Sequence, residues 1–471
     1  MAPRRQTVSD EATPFSVFDL DRLQREIGVL PAIRVVKHLL QRAEDLPTLS
    51  LQDDRNAIPF AKLGVSERVA DFIRRHCVLF TLKVVLKSES KRGGDTIKLL
   101  IELQDGHRIE TVVMKHAKRS TVCVSSQIGC QMGCRFCATG TLGIIGNLTA
   151  GEIVQQVVLA NSFTRIRNCV FMGMGEPLNN FENVKTAIAF LVNDKLLALS
   201  ARHVTVSTVG VLAAMKRLTL ELPAVNLALS LHAPNQRVRR SIVPAAAAHP
   251  IDKLMRAVDE HIAANPFLRV TEASLVSHES RRATGVMIEY ILIKEVNDRV
   301  EHAHELGALL APRRGHVLLN LIPYNPTDVT EAYAPPESSD VDAFYQTLVS
   351  SPYFILTRIR REMGQDISGA CGQLALKNDD ASLESSKERV VSDIEDGIGG
   401  NVTAWKREGK RGIKAGRAGG EGEKDDKEDI LKSSISISLG SVLSTTISAA
   451  AVVALVATAL FVIVRAKKTT R

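Results

Sequence analysis

The spacing of apolar residues changes character several times along the chain. From about Phe15 to Glu89 it follows a helical period, as in LDRLQREIGVLPAIRVVKHLLQRAEDL and VSERVADFIRRHCVLF, with Pro31 and Pro47 interrupting the pattern. A helical accessory unit over residues 15–90 is expected. From LKVVLKSES through TIKLLIELQDGHRIETVVMK the runs shorten, β-formers dominate and an Asp-Gly pair marks a turn, so hairpin strands lead into the next region. From about Ser120 to Leu376 the two patterns alternate. STVCVSS, NCVFMGMG, HVTVSTVG, AVNLALSL, VMIEYILI, HVLLNLIP and FILTRIR read as strands; GEIVQQVVLANSF, ENVKTAIAFLVN, VLAAMKRLTLEL, PIDKLMRAVDEHIAAN, RVEHAHELGALL and SDVDAFYQTLVSS read as helices. Such alternation builds a parallel sheet with helices outside it, an α/β fold whose chemistry sits at the ends of the strands.

Beyond Leu376 the pattern disappears. Residues 377–440 are rich in Gly and charge, as expected of a disordered linker, and the six basic residues between Lys406 and Arg417 read first as a solvated charge run. The stretch from Val442 to Val464 holds 23 residues without a charge and ends in RAKKTTR. At about 1.5 Å per residue it is roughly 34 Å long as a helix, enough to cross a hydrocarbon core of about 30 Å. A transmembrane tail anchor over residues 442–464 is expected, with the rest of the chain facing the cytoplasm. The endoplasmic reticulum and the mitochondrial outer membrane both fit such an anchor, and an organellar location is the alternative.

Composition adds less. Of 471 residues 45% are apolar, enough for a sizeable core, and the formal charge of +8 favours an anionic partner such as RNA. The N-terminus has no apolar run of signal-peptide length. Seven cysteines are an odd number, and three of them fall within eight residues, unlike a secreted disulfide framework.

Those three, Cys130, Cys134 and Cys137, form a C-x3-C-x2-C run just after a strand. Iron-sulfur clusters take thiolate ligands and a four-iron cluster normally needs four, so three would leave one iron open. A structural zinc would want a fourth Cys or His at paired spacing, and no second CxxC pair exists. Gly129, Gly133 and Gly140 around the cysteines suggest a backbone that wraps something, although buried free cysteines are also common.

The run, with Phe136 before its last cysteine, is similar to that of the radical S-adenosylmethionine (SAM) superfamily. More specifically, CVSSQIGCQMGCRFCATG, FMGMGEPLNN, VTVSTVG, LALSLHAPNQ, EYILIKEVND, NLIPYNP and GQDISGACGQL resemble, in order, the RlmN/Cfr-type RNA methyltransferases over about Arg108 to Leu374. The resemblance implies a partial (β/α)6 barrel over residues 96–376, open on one side to admit RNA, a 4Fe-4S cluster on Cys130, Cys134 and Cys137, and SAM on the open iron. It assigns Gly175, Glu176, Ser207, Ser230, Leu231, His232 and Asn325 to SAM. Cys371 matches the acceptor cysteine that first receives a methyl group, and Cys123 the thiol that releases the product by a disulfide with Cys371. Glu110, thirteen residues before Cys123, matches the proposed general base. The implied activity is methylation of adenosine C2 in ribosomal or transfer RNA, by a monomer supplied with electrons by a flavodoxin or ferredoxin. Methylation of C8, or an inactive membrane-tethered RNA-binding protein, are the alternatives. FLRVTEASLVSHESRRATG, residues 267–285, is longer than that family leads one to expect, and the linker and tail are foreign to it.

Overall fold

The computed structural model describes residues 13–376 except 43–57, 92–94, 118, 267–285, 328, 330, 361–362 and 375. All of them fall in one unit, Met1–Gly400. The long 267–285 insertion, Pro47, the 377–440 linker and the 442–464 apolar run lie outside the described residues. Among the described residues no helix is long and apolar enough to cross a membrane.

The alternation of patterns becomes a ten-stranded sheet. In chain order the strands are β1 (Phe15–Ser16), β2 (Cys77–Val78), β3 (Lys83–Glu89), β4 (Thr96–Glu102), β5 (Arg108–His116), β6 (Arg119–Cys123), β7 (Gln127–Gly129), β8 (Ile144–Asn147), β9 (Ile166–Phe171), β10 (Val204–Thr208), β11 (Asn226–Ser230), β12 (Val286–Leu292), β13 (Val317–Pro323) and β14 (Thr357–Ile359). The large sheet runs β14-β13-β12-β11-β10-β9-β6-β5-β4-β3, while β1-β2 and β7-β8 form separate pairs. Seven of its strands, β6 and β9 to β14, are parallel, and β3 to β6 form an antiparallel meander whose β4–β5 turn carries the expected Asp105-Gly106. Six of these parallel strands are each followed by a helix, as a partial (β/α)6 barrel requires, and the seventh, in FILTRIR, pairs its Thr357–Ile359 with Leu319–Leu321 at the end of the sheet.

All six expected helices of this region form, at Ala150–Phe163, Phe181–Val192, Leu212–Glu221, Ile251–Ala264, Val300–Leu310 and Ser338–Val349. The first begins with a capping box in which Thr149 and Glu152 each satisfy the other's backbone amide. Its residues Gly151 to Ala160 are buried on every side, because it lies between the sheet and the N-terminal helices.

The N-terminal periodicity gives helices at Leu20–Ile27, Val29–Leu40 and Glu67–His76. Pro31 does not break this pattern. It sits in the first turn of Val29–Leu40, where a missing N–H costs nothing, and the break falls at Gly28, whose φ of 87° is open to glycine. The helical part ends at His76, and Lys83–Glu89 belongs to the sheet.

Two adjacent glutamines fasten the buried helix to both neighbours. Gln155 Oε1 accepts from Thr81 N–H at 2.7 Å. Gln156 accepts from Thr111 Oγ1 (2.8 Å) and Ser125 N–H (2.9 Å) and donates to Ser125 C=O (3.0 Å). Ser125 leads out of β6 into the cysteine loop, so Gln156 fixes where that loop starts. Gln156→Leu strands the Ser125 N–H and C=O in the core, each costing about 1–3 kcal/mol. Urea unfolding followed by circular dichroism is expected to show a loss on the order of 2–5 kcal/mol, and a change below about 0.5 kcal/mol contradicts the role.

Candidate active site

Register decides which side chains share the interior. Val112 of β5 pairs with Cys123 of β6, Cys123 with Val170 of β9, and Val170 with Thr205 of β10. Two residues on, Ser207 follows Thr205. The row then continues through β11 to β14, where Ala228 pairs with Met287, Ser230 with Glu289, Glu289 with Asn320 and Asn320 with Arg358. Side chains alternate along strands, so Glu110, Cys123, Ser207, Ser230, Glu289, Asn320 and Arg358 face one side of the sheet. Ser207 Oγ and Ser230 Oγ lie 3.2 Å apart, and Asn320 Nδ2 donates to Glu289 Oε1 at 2.9 Å.

Glu110 is fully buried on this face. Lys98, also buried, stands 3.4 Å from its carboxylate, and Ser125 Oγ donates to the Glu110 carbonyl at 2.6 Å. Lys98 pairs with Val112 across β4 and β5, which places it diagonally from Glu110.

Beyond β6 the chain turns through the β7-β8 hairpin, which carries the three clustered cysteines. Gly129 enters it at φ 73°, and a Cβ there would collide with the Gly143 carbonyl oxygen, which instead accepts from Cys130 N–H at 2.7 Å. Cys137 N–H donates to Cys134 C=O at 3.1 Å and Gly140 N–H to Cys137 C=O at 2.9 Å, coiling the loop tightly. Cys134 is buried; Cys130 and Cys137 are partly exposed. Burial pushes the Cys130 thiol up to about 12 and raises those of Cys134 and Cys137, so the thiolates need a cationic centre to persist. One zinc ion would need converging donors. Among the described residues no three His, Cys, Asp or Glu side chains converge on a single ion. A cubic cluster places each thiolate on a different iron, and this donor set of three sulfurs fits it.

The segment after β14 returns to this loop. Ala138 N–H donates to Gly372 C=O (2.8 Å), Thr139 Oγ1 to Leu374 C=O (2.7 Å) and Asn325 Nδ2 to Cys371 C=O (3.1 Å). Cys371, partly exposed, is thereby held beside the cysteine loop, close to both Cys123 and Cys137. Cys123 is buried, and that burial, with Cys371 adding to it, pushes its thiol up to about 12. Arg360 reaches the same place. The Cys371 sulfur beside it, to which it hydrogen-bonds, raises its pKa most, and Glu289 and Cys123 add to the effect.

Glu176 follows β9, with Gly175 before it at φ 99°, where a Cβ would strike the Gln127 side chain at 2.5 Å. The buried Glu176 carboxylate accepts from Leu178 N–H (3.0 Å) and Val209 N–H (2.9 Å), yet burial raises it to about 7. His232, at φ 58°, packs edge-on to Phe136 with ring centroids 4.9 Å apart. Its Nδ1 accepts from Ile291 N–H at 3.1 Å, and burial drives its pKa down to about 3, so the ring is neutral with its proton on Nε2. Leu231 is fully buried, its N–H and C=O both engaged, the carbonyl by Arg239.

The three clustered cysteines, Cys123, Cys371, Asn325, Glu176 and His232 are thus gathered at one end of the parallel strands, with Glu110, Ser207 and Ser230 on the face leading to it. Pattern reading passed over Lys98, Glu289, Asn320, Arg360 and Arg239. The available signal was a charged or amide residue inside an otherwise apolar strand, as in VMIEYILI and HVLLNLIP.

Residues 124–270 match the model of the radical SAM superfamily. The chain is 39% identical over 334 residues to the probable dual-specificity RNA methyltransferase RlmN of Enterococcus faecalis, covering 69% of this chain and 86% of that protein. It is 40% identical over 321 residues to the protein of the same name from Listeria welshimeri, covering 67% and 82%. Among solved structures, a radical SAM methyltransferase from Sphaerobacter thermophilus superposes with a TM-score of 0.64 at 33% identity, covering 77% of this chain and all of that one. Radical SAM enzymes work with a 4Fe-4S cluster and SAM. With this extent of identity and the cysteine loop, the chain belongs to the RlmN-type radical SAM RNA methyltransferases.

Proposed function

We propose that the protein methylates C2 of an adenosine in ribosomal or transfer RNA, through a methyl group carried first on Cys371. The observation that carries this reading is the gathering of Cys371, Cys123 and Arg360 beside the cysteine loop. Carbon C2 of adenine is not a nucleophile, so the methyl group cannot pass directly from SAM and a carrier on the protein is needed. When bound, the cluster on Cys130, Cys134 and Cys137 and its SAM supply a methyl group and a 5'-deoxyadenosyl radical, the electron coming from a flavodoxin or ferredoxin. Gly175, Glu176, Ser207, Ser230, Leu231, His232 and Asn325 would hold SAM. The Glu176 carboxylate would face its ammonium, and the neutral His232 ring would offer an Nε2–H donor.

Cys371 accepts the methyl group at its sulfur, facing the Arg360 guanidinium. The raised pKa of Cys123 keeps that thiol protonated at neutral pH, so it does not compete for the methyl group. Once the methyl group has given up one hydrogen atom to the radical and its carbon has bonded to C2, Glu110, with Lys98 beside it, would take the proton that C2 carried, the one surplus electron passing back to the cluster site. Cys123 sulfur then attacks Cys371 sulfur. The S–S bond forms as the S–C bond of Cys371 breaks, and the carbon keeps that electron pair and gains a proton to become the methyl group. The uncharged 442–464 run is read as a membrane anchor from its length alone.

Nucleoside mass spectrometry of RNA from cells with and without the protein is expected to show 2-methyladenosine only where it is present; 8-methyladenosine, or no methylated product, overturns the C2 assignment. With labelled RNA on a denaturing gel, Cys123→Ala is expected to accumulate a covalent protein–RNA species and Cys371→Ala none. Equal crosslinking in both variants contradicts the two roles. The full-length chain is expected to resist carbonate extraction from membranes, whereas a truncation ending at Asp429 stays in the supernatant and keeps its activity. Recovery of the full-length chain wholly in the soluble fraction removes the anchor.

A further inference from the structure

Behind the cysteine loop, the short helix Gln236–Ile242 carries Arg239, one of the largest fully buried side chains of the molecule. The helix is packed on the loop. Arg135 N–H donates to Ile242 C=O at 3.0 Å, and Met132, Cys134 and Phe136 share an apolar cluster with Val238, Ile242 and Val243. The Arg239 guanidinium donates only to main-chain carbonyls: Nε to Leu231 (3.0 Å), Nη1 to His249 (3.2 Å), and Nη2 to Val209 (2.5 Å) and Ser230 (3.5 Å). None of these acceptors carries a formal charge.

A buried cation without an anion is strongly disfavoured, and burial does push this guanidinium down, to about 10. The ionisable groups facing it are His232, His249 and Cys134. Both histidines are driven toward their neutral forms, by burial first and by Arg239 second. Cys134 lies on the remaining side, in the apolar cluster that Val238 and Ile242 of the same helix share with the loop. Glu176 accepts from the Val209 N–H, while Arg239 donates to the carbonyl of the following peptide group, so the Val209 residue stands between the carboxylate and the guanidinium. The anion that matches Arg239 therefore belongs on the Cys134 side.

We infer that Arg239 is the fixed counter-charge of the centre held by Cys130, Cys134 and Cys137, and that it raises the reduction potential of that centre. The inference rests on the proposed cluster ligation. Reduction by one electron from an external donor adds a negative charge to the centre. In a low-dielectric surrounding a fixed cation stabilises the reduced form more than the oxidised one. The four carbonyls hold the guanidinium in place without neutralising it. Arg239 touches neither the cysteines nor a reacting atom through a hydrogen bond among the described residues, so its action is electrostatic.

The test is an EPR-monitored dithionite titration of the full-length protein, loaded anaerobically with iron and sulfide and free of SAM. Arg239→Gln removes the charge but keeps donors for the carbonyls. It is expected to shift the reduction equilibrium at least tenfold toward the oxidised form, about 59 mV for one electron. Arg239→Lys retains the charge and is expected to stay within threefold of the wild type. An Arg239→Gln protein with full iron content and an unchanged potential overturns the inference, as does an Arg239→Lys protein that falls tenfold or more. If Arg239→Gln does not accumulate as a folded, iron-loaded protein, Arg239→Lys decides by the same limits. A wild-type chain that takes up zinc, or fails to bind about four irons with their charge-transfer absorption, sinks the ligand assignment and this inference with it. Equal potentials in loaded proteins sink this inference alone.

Discussion

The backbone register of β6 with β9, and of β9 with the parallel strands beyond it, is the constraint on which the rest of the molecule depends. Pairing Cys123 with Val170 and Val170 with Thr205 turns one face of seven parallel strands into a single interior. A slip of one residue would exchange that face for the opposite one and send Cys123 into the helical layer. Gln156 guards this register from outside the sheet by binding both Thr111 and Ser125.

An interior of this kind is expensive because it is polar. Lys98 and Glu110 pair at 3.4 Å, Asn320 supports Glu289, and Arg360 stands among Glu289, Cys123 and Cys371. Breaking one member of such a set leaves a buried charge exposed to low dielectric, a larger loss than its hydrogen bond alone. Arg239 differs from these groups. It meets carbonyls rather than carboxylates, on a helix packed against the cysteine loop.

Two segments far apart in the chain meet at the cysteine loop. The bonds Ala138 to Gly372, Thr139 to Leu374 and Asn325 to Cys371 draw the segment after β14 onto the first βα connection. They place Cys371 beside a thiol more than two hundred residues earlier in the chain. Asn325, matched to SAM by resemblance, also supports the Cys371 backbone, so one amide side chain would serve cofactor and carrier together.

Much of this was written in local pattern. The six helices and seven strands of residues 120–376 follow from apolar periodicity, because each element must bury one face or both, and the cysteine spacing favours an iron-sulfur cluster over zinc or plain core cysteines. The resemblance in motif order extended that reading to Cys123, Cys371 and Glu110. Local pattern misread Pro31, which is harmless in a first helical turn. It was silent on Lys98, Glu289, Asn320, Arg360 and Arg239. A charged residue inside an apolar strand or short helix looks the same whether it faces solvent, a partner or a reacting centre. Only the register across strands, and the return of the last segment onto the first loop, decided which charges share an interior. Those are contacts between residues tens to hundreds of positions apart, which no local window contains.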